Sequence, residues 1–172
     1  QAVFDALQSA GIGPEIIQQM MTLIADAFNK RLLQLAELDL GAPPIEYAWF
    51  TAGSQARNEM HLVSDQDNGI ILAETPNPEA RRYFQQLADF VCQGLDACGY
   101  RLCPGEMMAS NPRWCVSLSQ WRSYYQQWMI HPEPQALLDI SVFLDMQFLF
   151  GYFSHAEYSM YGYLTVSAAE EL

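Results

Sequence analysis

The sequence predicts an α+β chain, with helices layered against a small mixed β-sheet and a long helix leading into it. Two observations support this. Segments with apolar residues three and four apart alternate with short runs rich in β-branched and aromatic residues, the pattern of helices and strands packed in layers. At 172 residues, 51% hydrophobic and 16% charged, the chain can also bury a real core and is neither disordered nor fibrous.

Ile17, Met21, Ile24, Phe28, Leu32 and Leu35 follow Pro14 at helical spacing and predict a helix with those residues as its buried stripe, ending near Gly41. Pro43 and Pro44 force an extended entry into "IEYAWFTA", a first strand ending at Gly53. A helical turn over Gln55 to Met60 and a second strand in "DNGIILA" follow. Asn77 and Pro78 open a helix with the stripe Ala80, Phe84, Leu87, Val91 and Leu95, stopping near Gly99. "YRLCPGEMMASNPRW" is broken by prolines and glycine and reads as loop or short strand. Leu118, Trp121, Tyr125 and Trp128 mark another helix, ended by Pro132 and Pro134, and "LLDISVFLDMQFLFG" reads as the remaining strand. Ser154 with Glu157, and Ser167 with Glu170, form capping boxes of C-terminal helices. The expected organisation is an N-terminal helical segment over 1–42, a core over 43–153, and over 154–172 the start of a C-terminal helical region that continues into a further domain.

A net charge of -12, from 20 acidic and 8 basic residues, argues against wrapping a nucleic-acid backbone, so an anionic ligand has to be held locally. No apolar run reaches the roughly 18 residues that span a bilayer, and the first residues lack the pattern of a secretory signal, so a soluble, cytoplasmic chain is expected. Cys92, Cys98, Cys103 and Cys115 form no CxxC pair and have no histidine at zinc spacing, which predicts reduced thiols. The aromatic run "WRSYYQQW" reads as helix core; arginines are too scarce around it for a base-stacking platform.

The chemistry concentrates in "TAGSQARNEMHLVSDQDNGIILA". On a strand, Asp65 and Asp67 point the same way about 6.6 Å apart. Two such charges repel by roughly 2 to 3 kcal/mol at an effective dielectric near 20, which something must offset. Taken alone, the pair reads as a solvated acidic turn. The bend at Gly53 and Ser54, however, offers backbone N–H groups and a hydroxyl to a phosphate oxygen, and paired carboxylates beside it suit Mg²⁺. If "DISVFLDMQ" is a strand, Asp139 and Asp145 share a face, and either can supply a third carboxylate. Three carboxylates can hold two ions ~3.5 to 4 Å apart. An EF-hand starting at Asp65 fails, since Ile70 and Pro76 stand where glycine and glutamate are needed. Arg57 can bind phosphate or pair with Glu59 or Asp67; Glu59 reads as a structural acceptor, and Asn111 and Arg113 as loop-shaping residues able to line the pocket.

"GSQAR", Glu59, "SDQDN", "CPGEMMASNPRW" and "FLDMQ" occur in that order. Together they resemble the DNA polymerase beta nucleotidyltransferase superfamily, and more narrowly a nucleotidyltransferase domain related to the N-terminal part of protein-PII uridylyltransferase, often found beside CBS and cyclic-nucleotide-binding domains. The resemblance implies a nucleotidyltransferase-type sheet and a metal site of Asp65, Asp67 and, through its FxD element, Asp145 in preference to Asp139. It implies nucleotide phosphate contacts at Gly53 and Ser54, with Arg57 beside them. Mg²⁺, two ions, is the implied cofactor, and a nucleoside triphosphate the substrate. The implied acceptor is a hydroxyl, one candidate being a protein tyrosine on a PII-like signalling protein, and regulatory and C-terminal domains are implied partners. Ala56, the Met60 and His61 pair, and Gln147 depart from the family pattern; Gln147 stands where arginine is common and removes a positive charge near the expected site. That substitution favours a second expectation, a nucleotide-binding sensor module without turnover in a signal-transduction protein. A polynucleotide-extending enzyme is a third, opposed by the charge balance.

Overall fold

The computed structural model describes residues 9, 11–61 and 63–153. Helix α1 (Pro14–Leu40) leads into strand β1 (Tyr47–Ala52), the four-residue helix α2 (Gly53–Ala56) and strand β2 (Asn68–Leu72). Helix α3 (Pro78–Ala97), a 3₁₀ turn (Pro112–Trp114), strand β3 (Cys115–Ser117), helices α4 (Leu118–Ile130) and α5 (Pro134–Phe143), and strand β4 (Met146–Gly151) complete it. The sheet order is β3-β2-β1-β4, with β1 antiparallel to both neighbours and β3 parallel to β2. This is the mixed α+β architecture expected. Among the described residues no helix is long and apolar enough to cross a membrane.

β1 is buried along its whole length and sorts its side chains by alternation. On one face, Phe50 meets Trp121 edge-on at 5.3 Å between ring centroids and Phe143 at 6.0 Å, and Trp121 Nε1 donates to Ile70 O at 3.0 Å. The "WRSYYQQW" run is therefore core, with Trp121, Tyr125 and Trp128 all buried. On the other face, Trp49 Nε1 donates to Asn29 on α1 at 3.1 Å and Tyr47 packs edge-on against Phe84 of α3. The Asn77 cap and the predicted stripe of α3 are as expected: Asn77 accepts from Ala80 N at 2.9 Å, and Ala80, Phe84, Leu87, Val91 and Leu95 are buried. The four cysteines are free thiols.

Three expectations need correction. The segment expected as one strand from Leu137 to Gly151 is helix α5 followed by β4. Pro134 at the first helical turn and the pair Asp139 and Phe143, the buried residues of α5, four positions apart, are helical signals that the β-branched Ile140 and Val142 obscured. Strand β3, three residues emerging from a Pro-rich loop, was too short to show any period. The buried face of α1 is also partly rotated from the one expected: Ile17 is buried as expected, but Thr22, Ala25, Asp26, Asn29, Leu33 and Ala36 face inward beyond it, while Ile24, Phe28 and Leu35 are exposed. Polar residues take the inner face because the sheet presents hydrogen-bond partners there, and burial of a polar group requires such partners. The capping boxes at Ser154 and Ser167 lie outside the described residues.

Candidate active site

The site forms where β1 leaves the sheet. Ala52 N donates to Asp67 O at 2.9 Å, so the chain before β2 still pairs with the last residue of β1. The next residue, Gly53, has φ 56°, and a Cβ there would run into the Asp67 carboxylate. Only glycine permits both that backbone and that approach. The chain then turns through α2, closed by Arg57 N donating to Gly53 O at 3.2 Å and Glu59 N to Ser54 O at 2.8 Å.

"SDQDN" alternates inward anchors with outward acids. Ser64, Gln66 and Asn68 are buried. Gln66 Nε2 donates to the carbonyls of Cys92 at 3.0 Å and Tyr100 at 2.7 Å, and Asn68 Oδ1 accepts from Ala109 N at 2.8 Å. These bonds pin the strand to α3 and to the "CPGEMMASNPRW" loop. Period-two alternation puts Asp65 and Asp67 together on the other side, both half-buried. Burial pushes the Asp67 carboxyl up to about 6; the neighbouring Asp65 charge pushes the same way, while the Cys103 thiol and the Arg57 charge oppose. Among the described residues neither aspartate has an ion pair, so the Cys103 thiol and the more distant Arg57 charge offset their repulsion only in part.

Asp145 stands beside the same end of β1, on the opposite flank, because the next residue, Met146, pairs with Ala52. Arg57 lies between the acids: Nε donates to Glu59 at 2.8 Å and Nη1 to Asp145 at 3.3 Å. With the Arg57 and Asp145 side chains 39% and 47% exposed, that pair contributes roughly 0 to 1 kcal/mol and is readily broken. Asp139 is elsewhere. It is fully buried on α5, bonded to Arg113 Nη2 and to Gln135 Nε2, which removes it as the alternative third carboxylate and makes Arg113 its partner instead of a pocket residue. Asn111 shapes its loop, accepting from Arg113 N at 3.1 Å.

Among the described residues no three His, Cys, Asp or Glu side chains are gathered tightly enough to cage a metal ion. The arrangement is a pair, Asp65 with Asp67, and a separate Asp145 tied to Arg57. A cavity of about 740 Å³, lined by Arg31, Ile45, Phe150, Tyr152 and their neighbours at the opposite end of β1, shares no residue with this site. Charge, not depth, marks the acidic end.

Residues 1–135 match the model of the family described as "Putative nucleotidyltransferase DUF294". The chain belongs to this family. No curated protein matches it. The match spans Gly53, Ser54, Arg57, Asp65 and Asp67 of the DUF294 chain but stops short of Asp145, whose place in the site therefore rests on geometry. The same end of β1 also holds polar residues not expected from the sequence. Gln66 and Asn68 were signalled by polar residues alternating with the aspartates at the mouth of a buried strand. Asp26 on α1 accepts from Gln55 Nε2 at 2.8 Å and Gln147 Nε2 at 3.3 Å; nothing in the periodicity of the helix pointed to it. Gln147 thus points toward α1, so the position expected to lack a substrate-facing charge belongs to an interior network.

Proposed function

We propose that the chain transfers a nucleoside monophosphate from a nucleoside triphosphate to a hydroxyl acceptor, with Mg²⁺ as cofactor. The observation that carries this reading is the unpaired Asp65 and Asp67 set against the Gly53 bend. Two half-buried hard-oxygen ligands without a protein cation are the donor chemistry that Mg²⁺ takes, with phosphate oxygens completing its shell. Bound there, the ion would neutralise charge developing on the phosphates as pyrophosphate leaves. Asp65 and Asp67 orient the triphosphate by holding its counter-ion. Gly53 lets the chain approach it closely, Ser54 offers a hydroxyl, and Arg57, released from Asp145, turns to a phosphate oxygen. Asp145, freed by the same exchange, accepts the proton of the attacking hydroxyl, and the second ion that the resemblance implies would require it to close on the pair. The acceptor oxygen bonds to the α-phosphorus as the bond to pyrophosphate breaks. By resemblance, a tyrosine of a PII-like signalling protein is a candidate acceptor, and attached regulatory and C-terminal domains would govern the transfer.

Incubation with α-labelled UTP or ATP and Mg²⁺, with and without candidate acceptor protein, tests the proposal. Label transfer with pyrophosphate release, abolished by Asp65→Ala, is expected; a folded chain that neither transfers nor releases pyrophosphate contradicts it. A second reading, a nucleotide sensor without turnover, is favoured by the absence of a three-carboxylate cluster among the described residues. Calorimetry showing tight nucleotide binding alongside no pyrophosphate over hours would select it.

A further inference from the structure

The geometry points to Asp26, a buried carboxylate on α1, as the positioning residue that holds both flanks of the acidic site in register; as a statement about catalysis this rests on the function proposed above. Asp26 is 7% exposed, and among the described residues no cation pairs with it. Its two oxygens serve different elements, Oδ1 accepting from Gln55 in α2 and Oδ2 from Gln147 in β4. These two partners lie on either side of the end of β1. Gln55 belongs to the turn that carries Gly53 and Ser54 and leads to Arg57, while Gln147 is two residues beyond Asp145 and pairs with Thr51 across the sheet.

The physical need is plain on the α2 side. A four-residue helix cannot hold itself, because nucleation fixes more backbone than its few bonds repay. Its orientation must come from tertiary contacts, and Gln55, buried under the turn, is its buried side-chain anchor. A carboxylate suits the position, since both partners present NH₂ groups and it accepts from both. A buried carboxylate without an ion pair among the described residues has its two amide links as its contribution, which argues that placement is what it supplies.

The amide chemistry yields a discriminating pair of variants. In Asp26→Asn, Oδ1 still accepts from Gln55, and the new NH₂ can donate to Gln147 once that side chain turns over, because Gln147 Oε1 is buried without a partner. In Asp26→Ala both links are lost. Asn29→Ala is the control: Asn29 lies on the same inner face of α1 and bonds Trp49, not α2.

The test measures amide hydrogen exchange, and calorimetric affinity for a non-hydrolysable nucleoside triphosphate with Mg²⁺, in the full chain and these three variants, below every melting temperature. Asp26→Ala should speed exchange at 53–59 and 145–148 with α3 unchanged, and weaken affinity by roughly tenfold or more, as misplacement of binding groups by an ångström does. Asp26→Asn should stay within roughly threefold of the parent. Asn29→Ala should melt earlier yet leave both site readouts alone. The inference is overturned if Asp26→Ala behaves as Asn29→Ala does, or if Asp26→Asn loses as much as Asp26→Ala. If the parent chain binds no triphosphate, the functional reading falls separately, and exchange still decides whether Asp26 clamps α2 to β4.

Discussion

Asp67 concentrates the residue-scale physics. Its carboxyl titrates near 6 in the fold against about 3.9 in an unfolded chain. Between those values the native state binds the extra proton, so stability must fall as pH rises from about 4 to about 6 and stay low above that. The shift corresponds to about 3 kcal/mol. Asp67→Asn removes both the desolvated charge and its repulsion with Asp65. Urea unfolding in divalent-free buffer should show the variant more stable than the parent above pH 6, with the slope between pH 4 and 6 reduced. A site residue whose removal stabilises the fold is hard to explain as structural. Cation binding competes with the same proton, so Mn²⁺ affinity should weaken as pH drops below about 6. Gly53→Ala makes the complementary case: a side chain at φ 56° is strained by roughly 1 to 2 kcal/mol, and here it also displaces Asp67, so both melting temperature and Mn²⁺ affinity should fall.

At the scale of elements, the two aspartates were legible because strand alternation is simple and the polar residues between them had to go somewhere. Gln66 and Asn68 go inward, and Asn68→Ala would leave the buried Ala109 N–H without its acceptor, at a cost of about 1 to 3 kcal/mol by urea unfolding. What stayed hidden was the assignment of 134–151. A run such as Leu137 to Phe143 has the composition of a strand and the spacing of a helix, and only the packing of Phe143 under Phe50 decides between them. That error placed Asp139 beside Asp145 on one face, whereas α5 buries Asp139 against Arg113. The two aspartates should separate in experiment. Asp139→Ala removes the buried acceptor of Gln135 and of a half-exposed Arg113 and should lower stability by about 1 to 3 kcal/mol. Asp145→Ala, at an exposed pair, should barely change the melting temperature while reducing nucleotide transfer.

Across the whole molecule, one strand organises everything. β1 carries the aromatic core on one face and the polar contacts to α1 on the other, and its last residue brings the chain before β2 and the start of β4 beside the Gly53 bend. Family membership and fold class were readable from separated motifs in order, because each motif shapes a local turn. Asp26 was not, since its partners are 29 and 121 residues away and no local period encodes them. On the proposed function, the net charge of -12 calls for cation-mediated capture of the triphosphate, and it predicts no mobility shift with RNA at physiological salt. The most direct measurement is a calorimetric titration of a non-hydrolysable nucleoside triphosphate into the chain with and without Mg²⁺, repeated on Asp65→Ala and Asp67→Asn. Binding that requires Mg²⁺ and disappears in both folded variants is the predicted result; binding indifferent to the ion and to both aspartates, or none in the parent chain, would contradict the account.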